Sequence, residues 1–180
     1  MAEIVRPYFL KRVCIFGPES CGKSTLAQNL ALYYQTSWVP EYARSYLELQ
    51  KRDPVEEDMT LIAKGQASSE RSLAEQANRI LFTDTDPLTT RIWSEWLFER
   101  CAPEILSLID EHTYDLYLLL TPDTNWEDDA IRYFPEQRWT FYEHCQRQLK
   151  EYNRRYLSIS GDWNMRWSKA TKAIDSLLAD

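Results

Sequence analysis

With 180 residues, 44% of them hydrophobic and 13% aromatic, the chain has material for one core and predicts a single domain over residues 1–180, with no room for a second catalytic one. A formal net charge of −7 argues against nucleic acid as the main partner, because phosphate backbones are bound through clustered Lys and Arg. No apolar run approaches the roughly 20 residues of a membrane span, and MAEIVRPYFLKR lacks the apolar core of a secretion signal, so a soluble, cytoplasmic protein without a membrane partner is expected.

In chain order, the apolar run Val13 to Phe16 suits a strand buried on both faces, and Leu26, Leu30 and Tyr34 recur at helical spacing after a loop. Ser37 to Val39 predicts a brief strand that passes through Pro40 into a helix. QKRDPVEEDM reads as a loop, and Thr60 to Asn78, low in Gly and Pro, reads as one long helix. Ile80 to Thr83 is a third strand ending in acids and a proline, followed by helices over Leu88 to Arg100 and from Pro103. YDLYLLLT and RRYLSIS supply the fourth and fifth strands, with a helix from about Thr140 to Asn153 between them and a last one over Met165 to Leu178. This alternation predicts an α/β fold, a mostly parallel sheet with helices on both faces and ligands at the carboxyl ends of the strands.

Gly17-x-x-x-x-Gly22-Lys23-Ser24 matches the phosphate-binding P-loop pattern, with a strand before it and a helix after it. Its glycines let backbone amides approach phosphate oxygens, and the helix N-terminus adds positive potential. Lys23 then reaches the β- and γ-phosphates and the Ser24 hydroxyl ligates magnesium, so Gly17, Pro18, Glu19, Ser20, Cys21, Gly22, Lys23, Ser24 and Thr25 form the candidate ATP site. The alternative is a glycine turn that only caps a helix. The four cysteines, Cys14, Cys21, Cys101 and Cys145, are too scattered for a zinc motif or a disulfide scaffold and are read as thiols. Cys21 lies where amide dipoles would lower a thiol pKa, though a space-filling role is the expectation.

ILFTDTDP has the form of a strand that ends in a magnesium-holding carboxylate, Asp84, with Asp86 two residues on as a further magnesium or substrate contact. Either acid could instead serve the turn. Glu41, after the second strand, is placed to act as base on an acceptor hydroxyl, with Arg44 facing the same cleft; a helix-start acid and a surface arginine are the alternative. Residues 123–138 have no clear period and read as a lid, in which Arg132 or Arg138 would neutralise developing phosphoryl charge. Seven tryptophans fall mostly at element ends, where core packing is the first expectation and ring stacking on a ligand the second.

Together FGPESCGKSTLAQNLA, WVPEYARSYLE, IAKGQ, FTDTDPLTT and YDLYLLLTPDTNWEDDAIR resemble the ribosylnicotinamide kinase domain of NadR-type proteins, over nearly the whole chain. The resemblance implies a P-loop kinase fold with a five-stranded parallel sheet. It also implies phosphoryl transfer from ATP to the 5′-hydroxyl of nicotinamide riboside in NAD salvage. By that resemblance Lys23 and Ser24 serve ATP and magnesium, while Glu41, Arg44, Asp84 and Asp86 face the acceptor and Gln66, in the KGQ segment, hydrogen-bonds it. Gly161, with Asp162, is similar to the loop that passes the adenine in P-loop kinases, with Trp163 or Arg166 covering the base. Longer members of the family carry a nucleotidyltransferase domain with a His-x-Gly-His loop. His112 and His144 are not in such a setting, so neither adenylyl transfer nor repression is expected of this polypeptide. Two other readings stay open: a kinase of another nucleoside or small alcohol, and a P-loop switch, which would need the Asn-Lys-x-Asp or Asp-x-x-Gly segments that this sequence lacks.

Overall fold

Strands covered on both faces need apolar side chains in both directions, and KRVCIF, ILFTD and LYLLL provide them. A computed structural model describes residues 10–128 and 134–179. Five strands, β1 (Lys11–Phe16), β2 (Trp38–Val39), β3 (Ile80–Asp84), β4 (Leu116–Leu120) and β5 (Tyr156–Ile159), pair in parallel in the order β2-β3-β1-β4-β5. The helices are α1 (Lys23–Tyr34), α2 (Tyr42–Gln50), α3 (Glu56–Ala74), α4 (Pro87–Phe98), α5 (Pro103–Glu111), α6 (Arg138–Glu151) and α7 (Trp163–Ala179). None of them is long and apolar enough to cross a membrane.

Side chains alternate across the sheet and divide the core in two. Val13, Ile15, Ile80, Phe82, Leu116 and Leu118 meet α1 and α7, while Cys14, Phe16, Tyr117 and Leu119 meet α3, α4, α5 and α6. Trp38 and Trp167 pack on the first cluster, Trp93 and Trp96 on the second, so core packing accounts for four of the tryptophans.

Both ends of the long third helix differ from the sequence reading for local reasons. Helix α3 starts at Glu56, inside the segment read as a loop, because three acids in its first turn suit the helix N-terminus and Asp58 Oδ2 accepts the Val55 N–H at 2.8 Å. Its end at Ala74, short of Asn78, passes into a turn closed by Gln76 N–H on Leu73 O at 3.0 Å. Of the segment read as a lid, residues 123–128 and 134–138 are described, and Arg132 lies outside the described residues.

At the sheet edge opposite the P-loop, α3 sinks a fully buried carboxylate, Glu70, between Arg12, the Tyr114 hydroxyl (2.6 Å) and His112 Nδ1 (3.4 Å). Burial opposes its ionisation, but the hydrogen bonds of His112 and Tyr114 and the charges of His112 and Arg12 outweigh burial and hold its pKa below the ordinary value. A carboxyl whose folded pKa is depressed contributes stability above its unfolded pKa and loses it as pH falls through the folded value. The thermal midpoint is therefore expected to drop below about pH 4.5. Glu70→Gln is expected to lose about 1–3 kcal/mol at pH 7 and to show a flatter acid limb; thermal melts from pH 7 to 3 measure both.

Candidate functional site

The loop between β1 and α1 turns at Gly17, where φ is +135° and an added Cβ would stand 2.7 Å from Leu120 O, so only glycine lets the chain pass the end of β4. Helix α1 starts after Gly22 with no acid in its first turn to offset its positive end. Lys23, its first residue, folds back and donates to Pro18 O at 2.6 Å. Burial works against its charge, yet the groups around it that are negative when ionised, Cys21 at high pH and Glu41, Asp84 and Glu19, outweigh burial and raise its pKa. Cys21 is buried and its thiol donates to Pro18 O at 2.9 Å, with burial raising its pKa, so the loop cysteine fills space and stays protonated.

Strand register gathers the acids. Ile15 pairs with Asp84 and Val39 with Thr83, which brings Glu41, two residues past β2, and Asp84, at the end of β3, to the same edge as the loop. Asp84 is fully buried; its Oδ2 accepts the Ser24 hydroxyl and its Oδ1 has no hydrogen-bond partner. Burial raises its pKa first and the charge of Glu41 raises it further, against Lys23, Ser24 and Arg44. A hydroxyl and an orphaned carboxylate oxygen side by side suit a hard cation that takes its remaining ligands from phosphates and water. No cluster of three or more His, Cys, Asp or Glu able to hold a metal occurs among the described residues.

A cavity of about 400 Å³ opens in front of these groups. Residues Glu19 to Thr25, Glu41, Arg44 and Gln66 line it, as does Trp163, whose ring packs on Gly22. Away from the loop its walls are mainly apolar, with Leu47 of α2, Met59 and Ile62 of α3, and Trp93 and Leu97 of α4, interrupted by the hydroxyls of Thr85, Thr89 and Thr90. Gly17, Pro18, Asp84, Asp86 and Gly161 stand outside the lining. One end of the cavity is thus charged and hydrogen-bonding, the other suited to a flat, weakly polar group.

Other candidates have defined partners. Asp86 caps α4, accepting Thr89 N–H at 2.9 Å on Oδ1 and the Tyr117 hydroxyl at 2.8 Å on Oδ2. Arg44 pairs with Glu48 one turn on at 3.7 Å. Gln66 accepts Tyr42 N–H at 2.8 Å and turns its amide nitrogen to Asp84 O and Thr85 O. Gly161 donates its N–H to Asp123 Oδ2 at 2.7 Å.

Two arginines act as struts, a role the sequence did not reveal because it depends on partners more than a hundred residues away. Arg166 is fully buried and donates to Cys21 O, Thr121 O and Gly161 O at 2.8–2.9 Å while pairing with Asp123, so it braces the loop from below and cannot cover a base. Arg138 donates to Glu19 O, Ser20 O and Thr124 O, and Thr124 Oγ1 adds a bond to Ser20 O at 2.8 Å. The start of the segment read as a lid therefore lies on the phosphate loop. Trp126 sits beneath the Arg138 guanidinium, 5.8 Å from its centre.

Fold, loop and lysine together define a P-loop nucleotide-binding protein with the kinase fold. The chain belongs to the AAA domain family, whose model matches residues 12–166. The trifunctional NAD biosynthesis/regulator protein NadR of Salmonella typhimurium is 31% identical over 183 aligned residues, 98% of this chain and 45% of its own length. Among solved structures, NadR protein in complex with NR matches with a TM-score of 0.87 at 28% identity, covering 97% of this chain and 53% of that one. NadR protein in complex with NAD and AMP-PNP matches at 0.81 and 26%, over 96% and 50%. This chain thus spans about half the length of the relatives it matches. Thymidylate kinase from Ehrlichia chaffeensis, with TM-score 0.63 and 15% identity over 92% of this chain and 98% of its own, shares the fold alone.

Removing the Arg166 guanidinium strands three buried carbonyls and Asp123. Arg166→Ala is expected to cost about 3 kcal/mol or more in thermal unfolding and to weaken nucleotide binding. Arg166→Lys is expected to recover little, since one ammonium cannot replace a planar fork; urea melts and nucleotide titration read the two effects.

Proposed function

We propose that this chain transfers the γ-phosphoryl group of ATP to the 5′-hydroxyl of nicotinamide riboside, giving nicotinamide mononucleotide and ADP in cytoplasmic NAD salvage. The observation that carries the reading is the meeting of Lys23 and Glu41 at the mouth of a cavity whose far walls are mainly apolar and aromatic. A P-loop protein that passes phosphate to water has no need of such a chamber. The NadR structures with NR and with AMP-PNP support the acceptor and the donor respectively.

In this reading the loop amides and the N-terminus of α1 hold the β- and γ-phosphates, and Lys23 leaves Pro18 O to follow the charge that develops on the transferring group. Ser24 and Asp84 would hold magnesium, which would supply positive charge to offset that of the phosphates. Glu41 takes the proton of the acceptor hydroxyl, with Arg44 on the same helix face steadying the sugar. The pyridinium ring enters the apolar end, where Trp93 offers a ring face and the cation is attracted to it. The described lid segment, held to the loop by Thr124 and Arg138, limits water at the donor site.

Purified chain with ATP and magnesium is expected to release ADP when nicotinamide riboside is added and to respond weakly to adenosine, cytidine or deoxynucleosides. Equal stimulation by another nucleoside would reassign the acceptor, and no stimulation by any would favour a switch. Glu41→Gln, which keeps shape without basicity, is expected to lower turnover by about 10²-fold or more with ATP affinity nearly intact. Lys23→Ala is expected to lose more turnover than nucleotide binding, read by ADP release against nucleotide titration.

A further inference from the structure

Glu41 sits at the N-cap of α2, and its side chain makes no capping hydrogen bond, so nothing in its own helix fixes it. The core holds α2 only through partly buried side chains, Ala43, Tyr46 and Leu47, and the helix buries no residue completely. A base must nevertheless stand within hydrogen-bond reach of the proton it takes, and small misplacements are expensive in rate. The first turn of α2 is held instead by α3, at two adjacent residues that touch Tyr42, the neighbour of Glu41.

Gln66 is 2% exposed, and its Oε1 accepts the Tyr42 N–H at 2.8 Å, one of the donors that a helix start leaves without an intrahelical partner. Its Nε2 faces Asp84 O at 3.4 Å and Thr85 O at 3.5 Å. A single side-chain amide therefore ties the Glu41 turn to the strand end that carries Asp84. Gly65 lies in the middle of α3, where glycine weakens a helix relative to alanine. Its Cβ, if present, would stand 2.2 Å from Tyr42 Cε1 and 2.4 Å from Cζ, so the ring rests directly on the helix backbone.

We propose that Gly65 and Gln66 clamp Tyr42 and thereby position Glu41 for proton transfer, with Gln66 acting as a positioning residue for the reaction and not as a contact to the acceptor. The proposal rests on the phosphoryl-transfer reading above for its catalytic consequence, while the clamp itself is a property of the unliganded chain. Gly65 gives the ring its seat and Gln66 sets the height of the backbone at that seat. The pair occurs in the sequence within Lys64-Gly65-Gln66, and its glycine does nothing useful for helix stability by itself.

The test uses Gln66→Leu, Gly65→Ala, Tyr42→Ala and Gly65→Ala/Tyr42→Ala in the full chain, each assayed for kcat, both KM values and thermal midpoint. Gln66→Leu and Gly65→Ala are expected to lower kcat by about 10-fold to 10²-fold with KM for ATP nearly unchanged. Adding Gly65→Ala to Tyr42→Ala is expected to lower kcat no further, because the ring that the methyl would displace is gone. Additive losses in the double variant would overturn the seat. A lower thermal midpoint with kcat intact would reduce the pair to a structural contact, and a rise in riboside KM alone in Gln66→Leu would make Gln66 a substrate ligand; either result overturns the proposal. Amide exchange at Tyr42 in the unliganded chain is the readout that survives failure of the functional reading. If no nucleoside stimulates the wild-type chain, faster exchange at Tyr42 in Gln66→Leu still supports the clamp, and unchanged exchange refutes it.

Discussion

A loop that offers its amides to phosphate leaves its carbonyls facing the protein, where each needs a donor. The rest of this site is arranged around that need. Pro18 O receives the Cys21 thiol and the Lys23 ammonium, Glu19 O and Ser20 O receive Arg138, Ser20 O also receives Thr124, and Cys21 O receives Arg166. The donors come from the loop itself, from the segment after β4 and from the starts of α6 and α7. Bracing the loop therefore ties the carboxyl ends of β1, β4 and β5 into one rigid edge, with Arg166 at its centre.

The opposite flank carries negative charge. Parallel pairing of β1 with β3 and of β3 with β2 delivers Asp84 and Glu41 to one place, and burial of Asp84 beside a second carboxylate makes its ionised form unfavourable. Such an arrangement is unstable in isolation, and Lys23 together with the Ser24 hydroxyl offsets part of it. The second oxygen of Asp84 has no hydrogen-bond partner. The tension between the two acids is a reason for their backbone supports to be stiff, and Gln66 bridges the two supports.

Between the flanks the cavity changes character along its length, from Lys23 and Glu41 to Trp93, Met59 and Leu97. Charged groups act strongly there because the apolar walls keep the local dielectric low. The AAA domain family model covers the loop and all five strands but for the first residue of β1, and the match to about half of NadR extends over nearly the whole of this chain. The fold shared with thymidylate kinase lies at the level of sheet and helices, beneath any choice of acceptor.

The sequence by itself determined the alternation of strands and helices, the phosphate loop and the strand-end acids, because these follow from local signals: apolar periodicity, glycine spacing, and polar residues where a strand stops. It also singled out Glu41 and Arg44, from their place after the second strand, and Gln66, through a resemblance in short segments, and all three line the cavity. Tertiary structure alone decided what the side chains do with their polar atoms. Asp86 turned to cap α4 and meet Tyr117, and Arg166 and Arg138 turned to carbonyls 145 and 118 residues away in the chain. The seat of Tyr42 on Gly65 arises the same way, from two helices that meet only after folding. Hydrogen bonding and close packing depend on distances in space, and a linear sequence orders residues without fixing those distances.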